Sequence, residues 1–183
     1  MNEFTAALSN NAFLTYGLPI GSFLFLIVIG FLILKNRLSA VYKSLDFAEE
    51  FRSKFIDYCN SRGEDREAYT WVTLNSPKMQ RNMGSYGVYE AYQPPAANYM
   101  VKNYQIITNM IPEVRRYIDM NNESLGTMFA SSIDGFIKAI DEALLRYIGV
   151  LNEQEDDAKR KLTNPFLWIR TGVEARGLLP RPF

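Results

Sequence analysis

Four carboxylates crowd one short stretch of this 183-residue chain: Glu153, Glu155, Asp156 and Asp157. Oxygen ligands at that density are what a Ca²⁺ or Mg²⁺ ion takes. The same stretch runs on into Lys159, Arg160 and Lys161. On a helix those bases fall three and four residues from the acids, and a hydrated face of ion pairs explains them without a metal. Other chemistries fail on inventory. Histidine is absent, which removes the commonest general base and metal ligand. Cys59, the single cysteine, therefore has no histidine to activate it. Carboxylate-bridged di-metal bundles need Glu-x-x-His pairs and fail for the same reason. The chain holds no GxxxxGK[ST], GxSxG, HExxH or CxxC motif. No catalytic residue, cofactor, metal or small-molecule substrate is expected, and the chain reads as a non-enzyme.

Charge excludes a further class. Lysine plus arginine and aspartate plus glutamate number 20 each. The bases are scattered rather than striped, so no nucleic-acid partner is expected. One cysteine forbids an internal disulfide, in keeping with a reducing compartment.

What the residues do specify is a location. Between Asn10 and Leu34 no residue is charged, and Phe13–Leu34 is long enough at 1.5 Å per residue to cross a bilayer's hydrocarbon core. A buried core helix of that length would keep a polar stripe, and Ile20–Leu34 has none apart from Ser22. A cleaved signal would begin with positive charge, yet the only charged side chain before the run is Glu3. An uncleaved single-pass anchor is the expectation. Lys35, Arg37 and Lys43 flank only its C-terminal side, so the positive-inside rule puts residues 35 onward in the cytoplasm, or in an organelle's matrix. A bacterial inner membrane is the favoured setting. Gly17 and Gly21 form a GxxxG motif that can bring two membrane helices together.

Beyond the anchor, Leu38, Val41, Leu45, Ala48, Phe51 and Phe55 recur at three- and four-residue steps and predict one helix from about Phe13 to Tyr58. A short helix over Arg66–Leu74, a new start at Ser76-Pro77, another at Pro95 or Ala96, a split near Met110 at Pro112 and a long helix over Leu125–Leu162 follow. No segment alternates as a strand does. Tyr86, Tyr89 and Tyr92 lie three apart in a turn-rich connection and are candidates for partner docking, or else simply edges of the core.

Asn164-Pro165 ends the long helix, and Phe166, Leu167, Trp168 and Ile169 follow beside Arg170 and Arg176. Tryptophan with arginine marks a segment at the headgroup level. Lys35, Arg37, Trp168, Arg170 and Arg176 are thus the expected membrane-interface set, with a strap packed on the bundle as the alternative for the tail.

The expected class is all-α: an N-terminal transmembrane helix continuing into an antiparallel bundle or hairpin, closed by a C-terminal amphipathic segment. Its divisions are a tail (1–12), an anchor (13–34), a helical cytoplasmic domain (35–163) and an interfacial or strap segment (164–183). An anchor followed by a long-helix bundle resembles the layout of LemA-type bacterial membrane proteins, and the resemblance brings no residue or function with it. Two functions are carried forward. One is a scaffold or docking protein, as an accessory subunit of a membrane complex, whose partners are the bilayer and a protein or a second copy. The other is a pore-forming effector oligomerising through Gly17 and Gly21, against which the span offers no polar face.

Overall fold

The computed structural model describes residues 18–93, 98–122 and 130–175. Among these residues the chain is all-α apart from one two-stranded ribbon. Helix α1 (Leu18–Asn60) contains both the apolar run and the amphipathic repeat after it. It stops where Arg62 and Gly63 turn left-handed, at φ 53° and 84°. Glycine is needed there twice over, because a Cβ on Gly63 would stand 2.6 Å from the Cγ2 of Ile118. Asp65 then caps α2 (Arg66–Met83), its Oδ1 accepting the Ala68 N–H at 2.8 Å. A 3₁₀ turn (Gly84–Gly87) leads into β1 (Val88–Tyr92) and β2 (Val101–Gln105). Helices α3 (Ile106–Asn122), α4 (Ala130–Leu162) and α5 (Pro165–Ala175) complete the order.

The chain divides into two compact units, Lys43–Asn152 and a second made of Met1–Tyr42 with Glu153–Phe183. The first holds the core. From α1 come Ala48, Phe51, Phe55 and Tyr58; from α2, Val72, Met79 and Met83; from α3, Ile107, Met110, Ile111 and Val114; from α4, Ile140 and Leu144. Phe47, Phe51 and Trp71 form an aromatic triangle with ring centroids 6.0–6.3 Å apart. A partly exposed ion pair, Arg52 Nε to Asp141 Oδ1 at 2.6 Å, ties α1 to α4.

Four local expectations are corrected here. Ser76-Pro77 starts no helix: α2 runs through it. Pro112 splits nothing: α3 runs through it as well. The reason is common to both. Each proline is exposed, and the carbonyls deprived of an N–H partner belong to Thr73, which is exposed, and Thr108, which is partly exposed. The asparagine and serine before Pro77 also bond back, Asn75 Nδ2 to the Trp71 carbonyl and Ser76 Oγ to the Val72 carbonyl. An interior proline costs about 3 kcal/mol. Burying Ile106, Ile107, Met110, Ile111 and Val114 on the opposite face returns roughly 1.5–3 kcal/mol apiece.

The third correction is the ribbon. Val88 pairs with Gln105, Tyr89 with Tyr104, and Tyr92 with Val101, antiparallel. Asn103 sits at φ 53°, a conformation asparagine tolerates, and it interrupts the period of two. Val101 and Tyr104 therefore become the partly buried residues of β2, three apart as on a helix. The fourth follows from it: α3 begins at Ile106, while the expected start at Pro95 or Ala96 lies outside the described residues, as do Phe13–Gly17 and Leu125–Phe129 of the two long helices.

A two-stranded ribbon is marginal by itself, and Gln80 fastens this one. Its buried amide donates from Nε2 to the Gly87 carbonyl at 2.9 Å and accepts the Ile107 N–H at Oε1 at 3.0 Å. Gln80→Leu leaves two buried backbone groups unpaired, at a cost of about 1–3 kcal/mol each. A lowered denaturant midpoint with unchanged helical content is the expected result; a midpoint equal to that of the parent would refute the role given to Gln80.

Candidate functional site

Side chains that belong out of water are uncovered along the N-terminal half of α1. Ile20, Phe23, Leu24, Phe25, Val28 and Leu32 are between 49% and 59% exposed. Full burial of such a residue is worth roughly 1.5–3 kcal/mol, so an apolar medium would return roughly 5–9 kcal/mol to the six together. Among the described residues, α1 is the one helix long and apolar enough to cross a membrane.

Helix α5 covers part of this segment. Asn164 caps it, accepting the Phe166 N–H at Oδ1 at 3.1 Å, and Pro165 takes the first helical position, where a missing N–H costs little. Two glycines bring α5 onto α1. A Cβ on Gly30 would overlap the Trp168 carbonyl and stand 3.0 Å from the Gly172 nitrogen. A Cβ on Gly172 would overlap the Leu26 carbonyl and stand 3.3 Å from the Leu26 Cα. Only glycine on both sides admits backbones this close, where Cα–H groups meet carbonyl oxygens. The Trp168 ring packs edge-on against Phe31 with centroids 5.1 Å apart, and its Nε1 donates to the Leu162 carbonyl at 2.9 Å. Leu34 is fully covered. Leu26 precedes Lys35 by nine residues, about 13 Å of helix, so the contact lies within the apolar run and not at its charged end.

The expected interface residues fall as follows. Lys35 and Arg37 are exposed just past the apolar run. Trp168 is half-buried on Phe31, and Arg170 is exposed, its Nε on Glu174 Oε1 at 2.8 Å. Arg37 joins Ile33, Thr171, Glu174 and Ala175 around a cleft of about 270 Å³. Arg176 and Gly17 lie outside the described residues. Gly21 has open space around it. Gly30 and Gly172, which make the close contact, were not singled out from the sequence. Their only signal there is a glycine in the middle of each apolar segment.

The tyrosines form a second feature. Tyr92 stacks on Tyr104 at 4.2 Å and on Tyr89 at 6.1 Å, while Tyr86 is half exposed in the 3₁₀ turn. Tyr92, Tyr99, Tyr104, Tyr117 and Phe136 wall an open groove of about 600 Å³ that also takes in the ion pair of Arg116 with Glu113, at 2.6 Å. Burial, with Tyr92 and Glu113 adding to it, pushes the Tyr104 phenol up to about 12. It is therefore a neutral hydrogen-bonding group at physiological pH and no phenolate nucleophile.

On α4, Glu155 pairs with Lys159 at 2.5 Å, and Asp157 pairs with Arg160 and Lys161. Lys161 first, then Arg160, holds the Asp157 carboxyl below its ordinary range. Burial pushes the Cys59 thiol up to about 12, with Asp141 adding to it. No protein-family model matches the chain, and comparison with curated proteins and with solved structures finds no match.

Proposed function

We propose that this chain is a single-span membrane protein whose helical domain, on the cytoplasmic or matrix side, docks a protein partner as an accessory subunit of a larger membrane assembly. The uncovered apolar face of Ile20–Leu32 is the observation that carries the membrane part, because a second apolar helix meets it through glycines instead of a polar surface. The half-exposed Tyr86 and the open aromatic groove support the docking part, since tyrosine offers large contact area at little entropic cost. Lys35, Arg37 and Lys43 support the orientation.

Orientation has a direct test. Cysteines are introduced one at a time near Met1 and near Phe183 and treated with a membrane-impermeant maleimide on intact cells. Native Cys59 stays quiet at pH 7–8, because burial pushes its thiol up and keeps it protonated there. Labelling near Met1 and not near Phe183 is expected; the reverse pattern would overturn the topology. The docking part is tested by photocrosslinking in cells from positions 86 and 99 of the full chain. Discrete adducts are expected, and their complete absence at both positions counts against docking through this surface.

A further inference from the structure

The cleft between α1 and α5 has a chemistry that the anchor alone does not need. Arg37 stands three residues beyond the apolar run, and the cleft it lines also takes in Ile33, inside that run, so a phosphate held there sits at the inner edge of the headgroup layer if the run spans the bilayer. Across the cleft are the Thr171 hydroxyl and the Glu174 carboxylate, both on α5. Among the described residues, neither the Arg37 guanidinium nor the Thr171 hydroxyl has a hydrogen-bond or ion-pair partner. Glu174 uses one oxygen, Oε1, on Arg170. A cation and an anion thus face one space of about 270 Å³ without closing on each other.

We propose that this cleft binds the phosphoethanolamine headgroup of a membrane phospholipid. The phosphate meets Arg37, whose planar fork suits it, and the Thr171 hydroxyl. The primary ammonium donates to the second oxygen of Glu174. Alternative headgroups fit worse. A choline has no N–H to donate and is usually held by an aromatic cage, and no residue lining this cleft is aromatic. A glycerol headgroup offers Glu174 neutral hydroxyls in place of an ammonium, so the bond there lacks the cationic donor and the lipid's net charge stays negative beside the carboxylate. The site exists only because Gly30 and Gly172 let α5 approach α1, so the close contact and the ligand cleft are one construction. This inference rests on the membrane reading of Phe13–Leu34.

The full-length protein is reconstituted in vesicles of equal parts phosphatidylethanolamine, phosphatidylglycerol and phosphatidylcholine, extracted in mild detergent, and examined by native mass spectrometry for retained lipid. Phosphatidylethanolamine is expected about tenfold over either competitor, the scale of one charge-assisted hydrogen bond. Free phosphoethanolamine should displace it and glycerol phosphate should not, which separates headgroup recognition from general partition into lipid. Arg37→Gln and Glu174→Gln should each abolish the preference. Lys159→Gln, which removes an i,i+4 ion pair of the same kind that does not line the cleft, should keep it. Equal retention of the three lipids, a preference for phosphatidylglycerol, or a preference that survives both Arg37→Gln and Glu174→Gln overturns the proposal. A protein that inserts but shows no headgroup preference refutes this inference alone. A protein that stays in the aqueous phase refutes the membrane reading as well.

Discussion

Gly30→Leu is expected to drive α5 off α1 and to speed hydrogen exchange across the Leu167–Ala175 amides by about a hundredfold, equivalent to roughly 3 kcal/mol of lost docking. The obstacle it meets is backbone. A Cβ at position 30 would lie 2.6 Å from the Trp168 carbonyl carbon, and no rotamer change relieves that. Overpacking costs about 1–3 kcal/mol where neighbours can shift. Here the neighbour is a helix of 11 residues, too short to hold its shape in water unsupported. Its departure also breaks the Phe31–Trp168 contact. Gly21→Leu is the control, because nothing lies within 4 Å of its Cβ position. Full-length protein in detergent, followed by exchange mass spectrometry, reads both variants. Identical α5 protection in the two would show that the glycine contact does not hold the tail.

The second large effect concerns where the chain can be cut. Deleting residues 1–37 removes the anchor at the boundary suggested by Lys35 and Arg37, but it also strips α5 of its partners Leu26, Gly30 and Phe31. That fragment is expected to aggregate or to demand detergent, through Phe166, Leu167, Trp168 and Ile169. Residues 43–152 contain every large core side chain from Leu45 to Leu151 and are expected to be soluble, mostly helical by circular dichroism and cooperative in unfolding. Within that fragment Phe55→Ala, at a site with no exposure, should cost about 3–5 kcal/mol, a large share of a small domain's stability. Size-exclusion chromatography without detergent separates the outcomes: a monodisperse 38–183 fragment, or an aggregated 43–152 fragment, contradicts this division of the chain.

The helices were legible in the sequence wherever one face was uniformly apolar. The stripe through Ile133, Phe136, Ile140, Leu144 and Leu151 appears as the buried face of α4, and Asn164-Pro165 ends that helix as its chemistry requires. The ribbon was hidden because one left-handed residue, Asn103, turns a period of two into a spacing of three. Pro77 and Pro112 misled because a proline's effect depends on which face it occupies, and that face is set by the completed core. The candidate site was half legible. Lys35, Arg37 and Trp168 declare themselves by type and position. Gly30 and Gly172 do not, since a glycine's value lies in what approaches it, and here that is a segment at the other end of the chain.

That separation gives the contact a timing. Gly30 leaves the ribosome about 140 residues ahead of Gly172, a delay of about 7–30 s at ordinary synthesis rates. For that interval a nascent anchor carries a bare glycine groove in the company of other nascent anchors. Closure by its own α5 is intramolecular and, once available, outruns encounters with a second chain, but it cannot begin until α5 is made. Slowing translation between the codons for Gly30 and Gly172 would therefore shift the balance from self-closed monomers toward anchors paired through Gly30, with no change in the amino-acid sequence at all.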